Sequence, residues 1–464
     1  MQKVSLKYPD TPIFQGAKKL IAEIKKNGSN AYIVGGATRN LLLNKPIKDI
    51  DIVANCNFDE LLKIFPEAEK VGAAFGVVIV KCGNFNYEIA SCRAERNYMD
   101  GRHPQEIKFT DSFEVDSLRR DFTVNAMLFD VFNEEVIDFH NGIDDLYKGI
   151  IRTVGNPMQR FSEDYLRILR AIRFAGSLGF AITEDTMTAI SNLSSKCAEI
   201  STERVKSELD MMLLNDNREY TMRLLQNSRV MKYILPEVYE LENVKQNPKF
   251  HPEGDVFEHT MIMLRHTVLK DLNLIWSVLL HDIGKKETFS CDETGIHFYS
   301  HEMTGSVLAE KLMQRLRFAN DSMQKIKKAI QNHMRFANIP QMKEAKVLKI
   351  IGDPNFALEL ELNRIDCISC HGDLKSFNLL LEKVIELSGN TQLPEPFILG
   401  RDLIKLGYQP SKNFSLILSE VYDLQLNKEL NSKEEAIEYI GNKFPAQKLR
   451  MHPPSPKVME DRRI

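Results

Sequence analysis

Near residue 155 the apolar pattern of the chain changes period, and this change constrains the fold more than any other feature. Up to about residue 150, short β-rich runs alternate with helical segments: Ala31 to Val34, Ile50 to Val53, Gly76 to Val80, Asn86 to Ile89 and Glu135 to Phe139. Such alternation predicts an α/β or α+β domain. Beyond Gly155 the strand signals nearly vanish. Apolar residues then recur every three or four positions, as in Tyr165, Ile168, Leu169, Ile172 and Ala175, which reads as helix after helix. The expected fold class is therefore α+β, a head with a small mixed sheet followed by a predominantly helical remainder. The polar stretch Pro236 to Pro252, broken at Asn247-Pro248 and His251-Pro252, reads as a linker, and Gly389 to Pro396 as a second boundary.

With 464 residues the chain has room for about three domains by the usual size of one. A net charge of −3 argues against a protein that coats nucleic acid indiscriminately, so any polyanion site must be local. Basic clusters do occur at Arg119-Arg120, at Arg167, Arg170 and Arg173, at Lys325, Lys327 and Lys328, and in the tail from Lys443 to Arg463. The Lys325 group reads as a solvated helix face. The start lacks a continuous apolar stretch, so neither secretion nor membrane insertion is expected. Seven scattered cysteines fit a reducing cytoplasm, and the close pair Cys367 and Cys370 reads as buried thiols.

Asp49-Ile50-Asp51 places two carboxylates on one face of an apolar strand. Two such charges side by side call for a cation, and magnesium, which takes carboxylate and phosphate oxygens, suits in-line phosphoryl displacement. Gly35-Gly36 follows a predicted strand and leads into a helix, a turn whose amides can face a phosphate. A third carboxylate is expected from Glu88, on another predicted strand, with Asp121 as the alternative.

Gly35-Gly36-x-x-Arg39, Asp49-x-Asp51 and Arg119-Arg120-Asp121-Phe122-Thr123-x-Asn125-Ala126 resemble, in order and spacing, the class II tRNA nucleotidyltransferase and poly(A) polymerase family of the polymerase-beta superfamily. The similarity continues through Asp145 to Gly149 and Glu163-Asp164-Tyr165-Leu166-Arg167 to Glu203-Arg204. The resemblance implies a polymerase-beta-like head at residues 1–150 and a helical neck and body at 151–240. It further implies that Gly36, Arg39 and Arg120 contact a nucleotide, that Asp49 and Asp51 bind magnesium, and that Asn125 lies near the ribose. Asn40 departs from the family, which usually has Asp there. The implied reaction is template-independent addition of C and A, from CTP and ATP, to the 3′ end of tRNA with release of pyrophosphate. A-only addition and poly(A) polymerization remain alternatives; Glu163-Asp164, in place of the Asp-Pro common in poly(A) polymerases, favours tRNA repair.

Asp164, Arg167, Arg170 and Arg173 advance in steps of three and are expected on one broad face of a single helix, with nucleotide or RNA phosphates neutralizing the arginines. Salt bridges to Glu163 and Asp164 on a structural helix are the plainer alternative. Ionized Asp accepts hydrogen bonds and Arg donates them. Cytosine and adenine each show an amino donor beside a ring-nitrogen acceptor, so Asp164 with Arg167 would admit C and A and reject U and G. The family resemblance gives this pair the same role. The polar stretch from Ala94 to Phe109 reads as a mobile loop and resembles the flexible loop that in this family accompanies addition of the terminal A.

In the helical region His259, His281-Asp282-Ile283-Gly284-Lys285, His301, His333 and Asp366 offer imidazole and carboxylate ligands. His281-Asp282 ends an apolar helix and meets a glycine turn. The pattern His259, His281-Asp282 and Asp366 resembles the HD phosphohydrolase superfamily. That implies an all-α domain at 245–390 holding a divalent metal of unspecified identity on these four residues, with His301 and His333 as extra ligands for a second metal. Its activity would be hydrolysis of a phosphomonoester or cyclic phosphate, and a chain whose only activity is such hydrolysis is the alternative from another functional class. Residues 395–464 resemble the C-terminal RNA-facing helical region of HD-containing bacterial members of the family.

Overall fold

The computed structural model describes residues 1–71, 76–98, 104–248, 251–387, 392–410 and 412–445. They form two compact units, the first comprising 1–331 with 368–371 and the second 332–367 with 372 onward. The first unit opens with a sheet built from β1 (Gln2–Ser5), β2 (Ala31–Val34), β3 (Asp51–Ala54), β4 (Glu69–Lys70), β5 (Val77–Cys82) and β6 (Phe85–Ser91). After the separate pair β7 (Arg93–Tyr98) and β8 (Pro104–Phe109), β9 (Leu128–Asp130) and β10 (Glu135–Asp138) complete it. The order is β1-β10-β9-β2-β3-β6-β5-β4, and only β3 and β6 run parallel. This is the expected mixed sheet, with more strands than the sequence pattern marked.

The central strands read as nearly continuous apolar runs because both faces are covered. Ile33, Val34, Ile52, Val53, Ala54 and Ile89 are all buried. Helix Pro12–Lys26 contributes Phe14, Ala17, Ile21 and Ile24 to this core. Gly16 is required there, since a Cβ would collide with the Tyr87 hydroxyl, which donates to the Ile13 carbonyl at 2.7 Å.

The stretch expected as a mobile loop is largely a β-ribbon. β7 and β8 pair antiparallel from Arg93 opposite Phe109 to Tyr98 opposite Pro104, and residues 99–103 lie outside the described residues. A two-stranded ribbon outside the main sheet needs no alternating apolar face, so the signal that marks core strands is missing. β11 (Ile150–Ile151) and β12 (Ala181–Ile182) make a short parallel pair.

Helices Pro157–Glu163, Leu166–Leu178, Glu184–Leu193, Thr202–Leu214 and Arg218–Asn227 follow, as the period-3.6 pattern predicts. Helices Val256–His266 and Leu272–Leu280 are capped by Asp255 and Asp271, whose side chains accept from Glu258 N at 2.9 Å and Leu274 N at 3.0 Å. The region expected to be all-α also holds a hairpin, β13 (Phe289–Asp292) with β14 (Gly295–Phe298), whose short strands sit largely at the surface. Among the Lys325 group, Lys325 pairs with Asp321 and Lys327 with Glu310, each at 2.7 Å, consistent with a solvated face.

The second unit packs helices around two apolar clusters. One contains Phe336, Ile339, Ile351, Phe356 and Leu380, the other Leu403, Ile417, Val421, Ala436 and Ile440. The tail cations from Lys448 to Arg463 lie outside the described residues. None of the seven cysteines forms a disulfide, Cys367 and Cys370 are only partly buried where buried thiols were expected, and no helix among the described residues is long and apolar enough to cross a membrane.

Candidate active site and candidate metal centre

Strand pairing assembles the first site. Val34, ending β2, lies opposite Asp51, which begins β3, and Asp51 is in register with Glu88 on the parallel neighbour β6. Gly35 then turns the chain with φ +74° into helix Gly36–Leu42, a conformation that suits glycine. A side chain at Gly35 would face Asp51 Oδ2 at 3.6 Å. Asp51 begins β3 and Asp49 precedes it, so the two are not on one strand as expected; both are accessible, as is Glu88 in the middle of β6. Crowding by surrounding protein, then the charges of Glu88 and Asp49, push the Asp51 carboxyl up to about 6, with Arg120 pulling the other way. A carboxylate raised first by burial and then by its carboxylate neighbours is what a divalent cation relieves, so the donor set fits magnesium.

A cavity of about 620 Å³ opens beside this pair. Gly36, Arg39, Asp49, Asp51, Arg120, Asn125, Asp164, Arg167 and Arg170 line it, whereas Glu88 and Arg173 do not. Of the two candidates for a third carboxylate, Glu88 stands next to Asp51 in the sheet. Asp121 lines the cavity but is engaged by Arg170, whose Nε and Nη2 donate to Oδ2 at 2.9 and 2.6 Å. Burial alone would raise the Asp121 carboxyl, yet Arg170 holds it below its usual range. Arg39 donates from Nη1 to Asn125 Oδ1 at 2.5 Å and from Nε and Nη2 to Asn40 Oδ1 at 3.2 and 3.0 Å. Asn40, the departure from the family pattern, thus orients Arg39 without adding charge.

The four residues expected on one helix are not on one helix. Asp164 is extended (φ −149°, ψ 106°) at the end of helix Pro157–Glu163, and Arg167, Arg170 and Arg173 belong to helix Leu166–Leu178. The short polar side chain breaks the helix by accepting from Leu166 N at 3.1 Å. Nor do the arginines depend on phosphate for their charge balance. Arg167 pairs with Glu163 at 2.7 Å, Arg170 with Asp121 at 2.6 Å and Arg173 with Glu208 at 2.6 Å. Arg39, Arg170 and Arg173 also lie 5.3, 5.3 and 4.2 Å from the centroid of the Phe174 ring.

The plainer reading therefore holds for Glu163, while Asp164 pairs with Arg204 at 2.9 Å instead of with its own helix. Arg167 also donates to the carbonyls of Arg160 and Arg119 at 3.1 and 3.2 Å. Three of its five N–H groups are used, which leaves donors for a ligand. Phe174, Arg204, Glu208 and Asp116 were missed as site residues in the sequence. Asp116 is buried and anchors Arg119 and Arg120 at 2.9 and 3.1 Å; its i, i+3 and i, i+4 spacing to them is the available signal.

In the HD segment of the first unit, three histidines are fixed in the same way. His281 Nδ1 donates to the Val278 carbonyl at 2.9 Å and His301 Nδ1 to that of Phe298 at 2.8 Å. His259 Nδ1 donates to Glu253 Oε1 at 2.7 Å. In the neutral ring each lone pair then resides on Nε2, the usual arrangement for metal ligation. Asp282 Oδ2 lies 3.0 Å from His281 Nε2, and Oδ1 3.4 Å from His301 Nε2. A carboxylate this close to two Nε2 atoms requires positive charge there, as a proton or a cation, so the donors fit a divalent metal.

Burial opposes the charge on Asp282, but His281 and Lys285, whose Nζ is 2.7 Å away, hold its carboxyl well below the usual range. Gly284 allows the turn after Asp282 to touch backbone at His301 and Gly305, where a Cβ would collide. His333 and Asp366 belong to the second unit, the first buried and the second half-buried on helix Phe356–Ser369. Lys285 was quoted only as the end of the His-Asp motif, and His251 and Glu253 were given no role, since isolated polar residues around Pro252 carry no periodic signal.

Residues 31–152 match the family described as the poly A polymerase head domain, and 179–241 the probable RNA and SrmB-binding site of polymerase A. Residues 256–352 match the HD domain. The chain is 40% identical to the CCA-adding enzyme of Staphylococcus epidermidis over 222 residues, 48% of this chain and 55% of that protein. It is 43% identical to that of Enterococcus faecalis over 206 residues, 44% and 50% of the two chains. The matched region thus spans about half the length of these curated relatives. In fold the chain is similar to the Bacillus stearothermophilus CCA-adding enzyme solved with CTP, with 24% identity, a TM-score of 0.71, and coverage of 93% of this chain and 98% of that one. The Thermotoga maritima CCA-adding enzyme solved with tRNA gives 20% identity, a TM-score of 0.63, and coverage of 95% and 99%. Segment by segment, then, the chain matches the poly A polymerase head domain, its probable RNA-binding site and the HD domain, in that order.

Proposed function

We propose that the chain completes the 3′ end of tRNA by template-independent addition of C and A from CTP and ATP, releasing pyrophosphate. The observation that carries this reading is the convergence of Asp49 and Asp51 with Arg39, Arg120, Asn125, Asp164 and Arg167 on one cavity. The RNA 3′-hydroxyl attacks the α-phosphate of the bound nucleotide, and the bond to pyrophosphate breaks. Magnesium held by Asp49 and Asp51, with Glu88 beside them, would supply activation of that hydroxyl and charge neutralization of the leaving group. Arg39 and Arg120 bind the triphosphate from the buried side, and Asn125, which accepts from Arg39, faces the sugar. Asp164 accepts from the exocyclic amine of C or A while Arg167 donates to the ring nitrogen. Their existing bonds to Arg204 and Glu163 hold both groups in place for this. Arg170 and Arg173 act behind them, braced on Phe174.

We assign 1–150 to the head, 151–240 to the neck and body, 245–390 to the HD region and 395–464 to the RNA-facing tail, in a cytoplasmic protein. The HD region is proposed to hydrolyse phosphate at RNA ends or on nucleotides. His259, His281 and Asp282, with Asp366 assigned from the sequence pattern, would hold a divalent metal that supplies an activated water.

The test is incorporation with magnesium, CTP and ATP on one tRNA transcript lacking CCA and one ending in CC. Extension of both to a single CCA is expected. Extension of the CC-ended transcript alone would replace the reading with A-only addition, and a run of A with poly(A) polymerization.

A further inference from the structure

Beside these histidines the segment just before helix Val256–His266 supplies a group outside the residues matched to the HD domain. Glu253 is 7% exposed at its side chain, and its Oε1 sits 2.9 Å from His251 Nδ1 and 2.7 Å from His259 Nδ1. The three residues bring their ligand atoms within 4.8 Å of one another. The His251 and His259 rings meet edge to face with centroids 4.9 Å apart, and the His259 and His281 rings likewise at 5.5 Å. Glu253 Oε2 is buried and has no hydrogen-bond partner.

An ionized carboxylate only accepts, so both imidazoles must donate to it from Nδ1. That fixes one tautomer in each ring and places each neutral lone pair on Nε2. His281 and His301 reach the same state through the backbone carbonyls of Val278 and Phe298. His259 sits near the start of helix Val256–His266, where its ring orientation is set by a side chain, and Glu253 is that side chain.

We infer that Glu253 is the positioning carboxylate of the HD metal centre: it holds His259 as an Nε2 ligand and ties His251 to it, so that metal affinity depends on a linker residue. This rests on the HD reading above. Supporting carboxylates of this kind typically change metal affinity by about 10–100-fold when removed. His251 then acts as a brace that keeps the Glu253 oxygen between two donors, and its loss is expected to cost less than loss of Glu253.

The experiment is a cobalt(II) titration of the metal-free full chain with magnesium in excess, to occupy the oxygen-ligand site of the head. The visible absorption of nitrogen-ligated cobalt is the readout. Glu253→Ala is expected to weaken cobalt binding by about 10–100-fold, and Glu253→Gln, which keeps an acceptor oxygen, by less. His251→Phe should fall between wild type and Glu253→Ala. In all three variants CTP incorporation and the metal-free melting temperature should match wild type. A merely structural role would instead lower the metal-free melting temperature and leave cobalt affinity intact in Glu253→Gln and Glu253→Ala alike. Wild-type cobalt affinity in Glu253→Ala, with loss of binding in His259→Ala, overturns the positioning role alone. Failure of the wild-type chain to give the nitrogen-ligated spectrum overturns the HD metal reading and this inference together.

Discussion

The two candidate centres of the first unit gather charged groups in opposite ways. In the head Asp49 and Asp51 stand accessible at the start of β3, and Arg170 and Arg173 beside them are already paired with protein carboxylates and gathered about Phe174. In the HD segment the groups are buried, with His259 fully so, His281 at 1% and Asp282 at 2% exposure. There each ring donates from Nδ1 to a protein oxygen. An open site that exchanges nucleotide and RNA can rely on water to solvate its ligands between cycles. A buried site must fix tautomer and orientation in advance, because an unsatisfied polar group there costs more.

The largest effect that would separate the two is expected from Asp51→Ala. Nucleotide incorporation should drop by at least about 1,000-fold, the scale for losing one strong electrostatic contribution at a phosphoryl-transfer centre. Metal uptake by the HD centre should not change, and a parallel loss of cobalt binding would break the independence of the centres. The reverse arm is His281→Ala with Asp282→Ala. Hydrolysis of phosphate esters should vanish while CCA addition persists, as an end-labelled RNA assay resolves in one gel.

A smaller effect sharpens the reading of the head. Arg167→Ala should relax discrimination against UTP and GTP by about 10–100-fold, the equivalent of one bidentate base contact. Competition between CTP and UTP on a transcript lacking CCA measures it, and unchanged selection would remove Arg167 from base choice. Next is Glu208→Ala, which leaves Arg173 without its partner in a pair whose side chains are 15% and 5% exposed. Urea unfolding is expected to show a loss of about 3 kcal/mol, the lower end for breaking a buried pair.

The smallest effect concerns Asp51 and pH. Its carboxyl is raised to about 6 from an ordinary 3.8, so the folded state binds its proton more tightly than the unfolded state does. Its contribution to metal-free stability is therefore complete below its unfolded value and disappears as pH rises through about 6. Asn carries no such charge. Without divalent metal Asp51→Asn should be more stable than wild type near pH 7.5 by roughly 1 kcal/mol after screening by solvent, with the gap closing toward pH 4. Thermal melts in chelator at the two pH values measure it, and a gap of the opposite sign would show that the strand-end carboxylates do not crowd one another.

Local pattern explains why much of the head was legible. Ala31–Val34 and the Asp51 strand are continuous apolar runs bounded by turns, and the spacing of Asp49 and Asp51 puts both at one end of a core strand whatever surrounds it. Helices after residue 155 were legible for the same reason, since burying one face imposes a 3.6-residue period. β7 and β8 were not, because a ribbon outside the main sheet imposes no such alternation. The break at Asp164 was hidden because charged steps of three look helical even where a side chain caps the next turn.

The sequence by itself determined the change from sheet to helix, the carboxylate pair at the start of one strand, and the His-Asp dipeptide at a helix end, since each depends only on periodicity and nearest neighbours. Only the tertiary structure decided that Glu88 stands beside Asp51, that Arg204 answers Asp164, and that Glu208 answers Arg173. Strand register and ion-pair choice between residues tens of positions apart are set by how the whole core closes, and no local spacing encodes them.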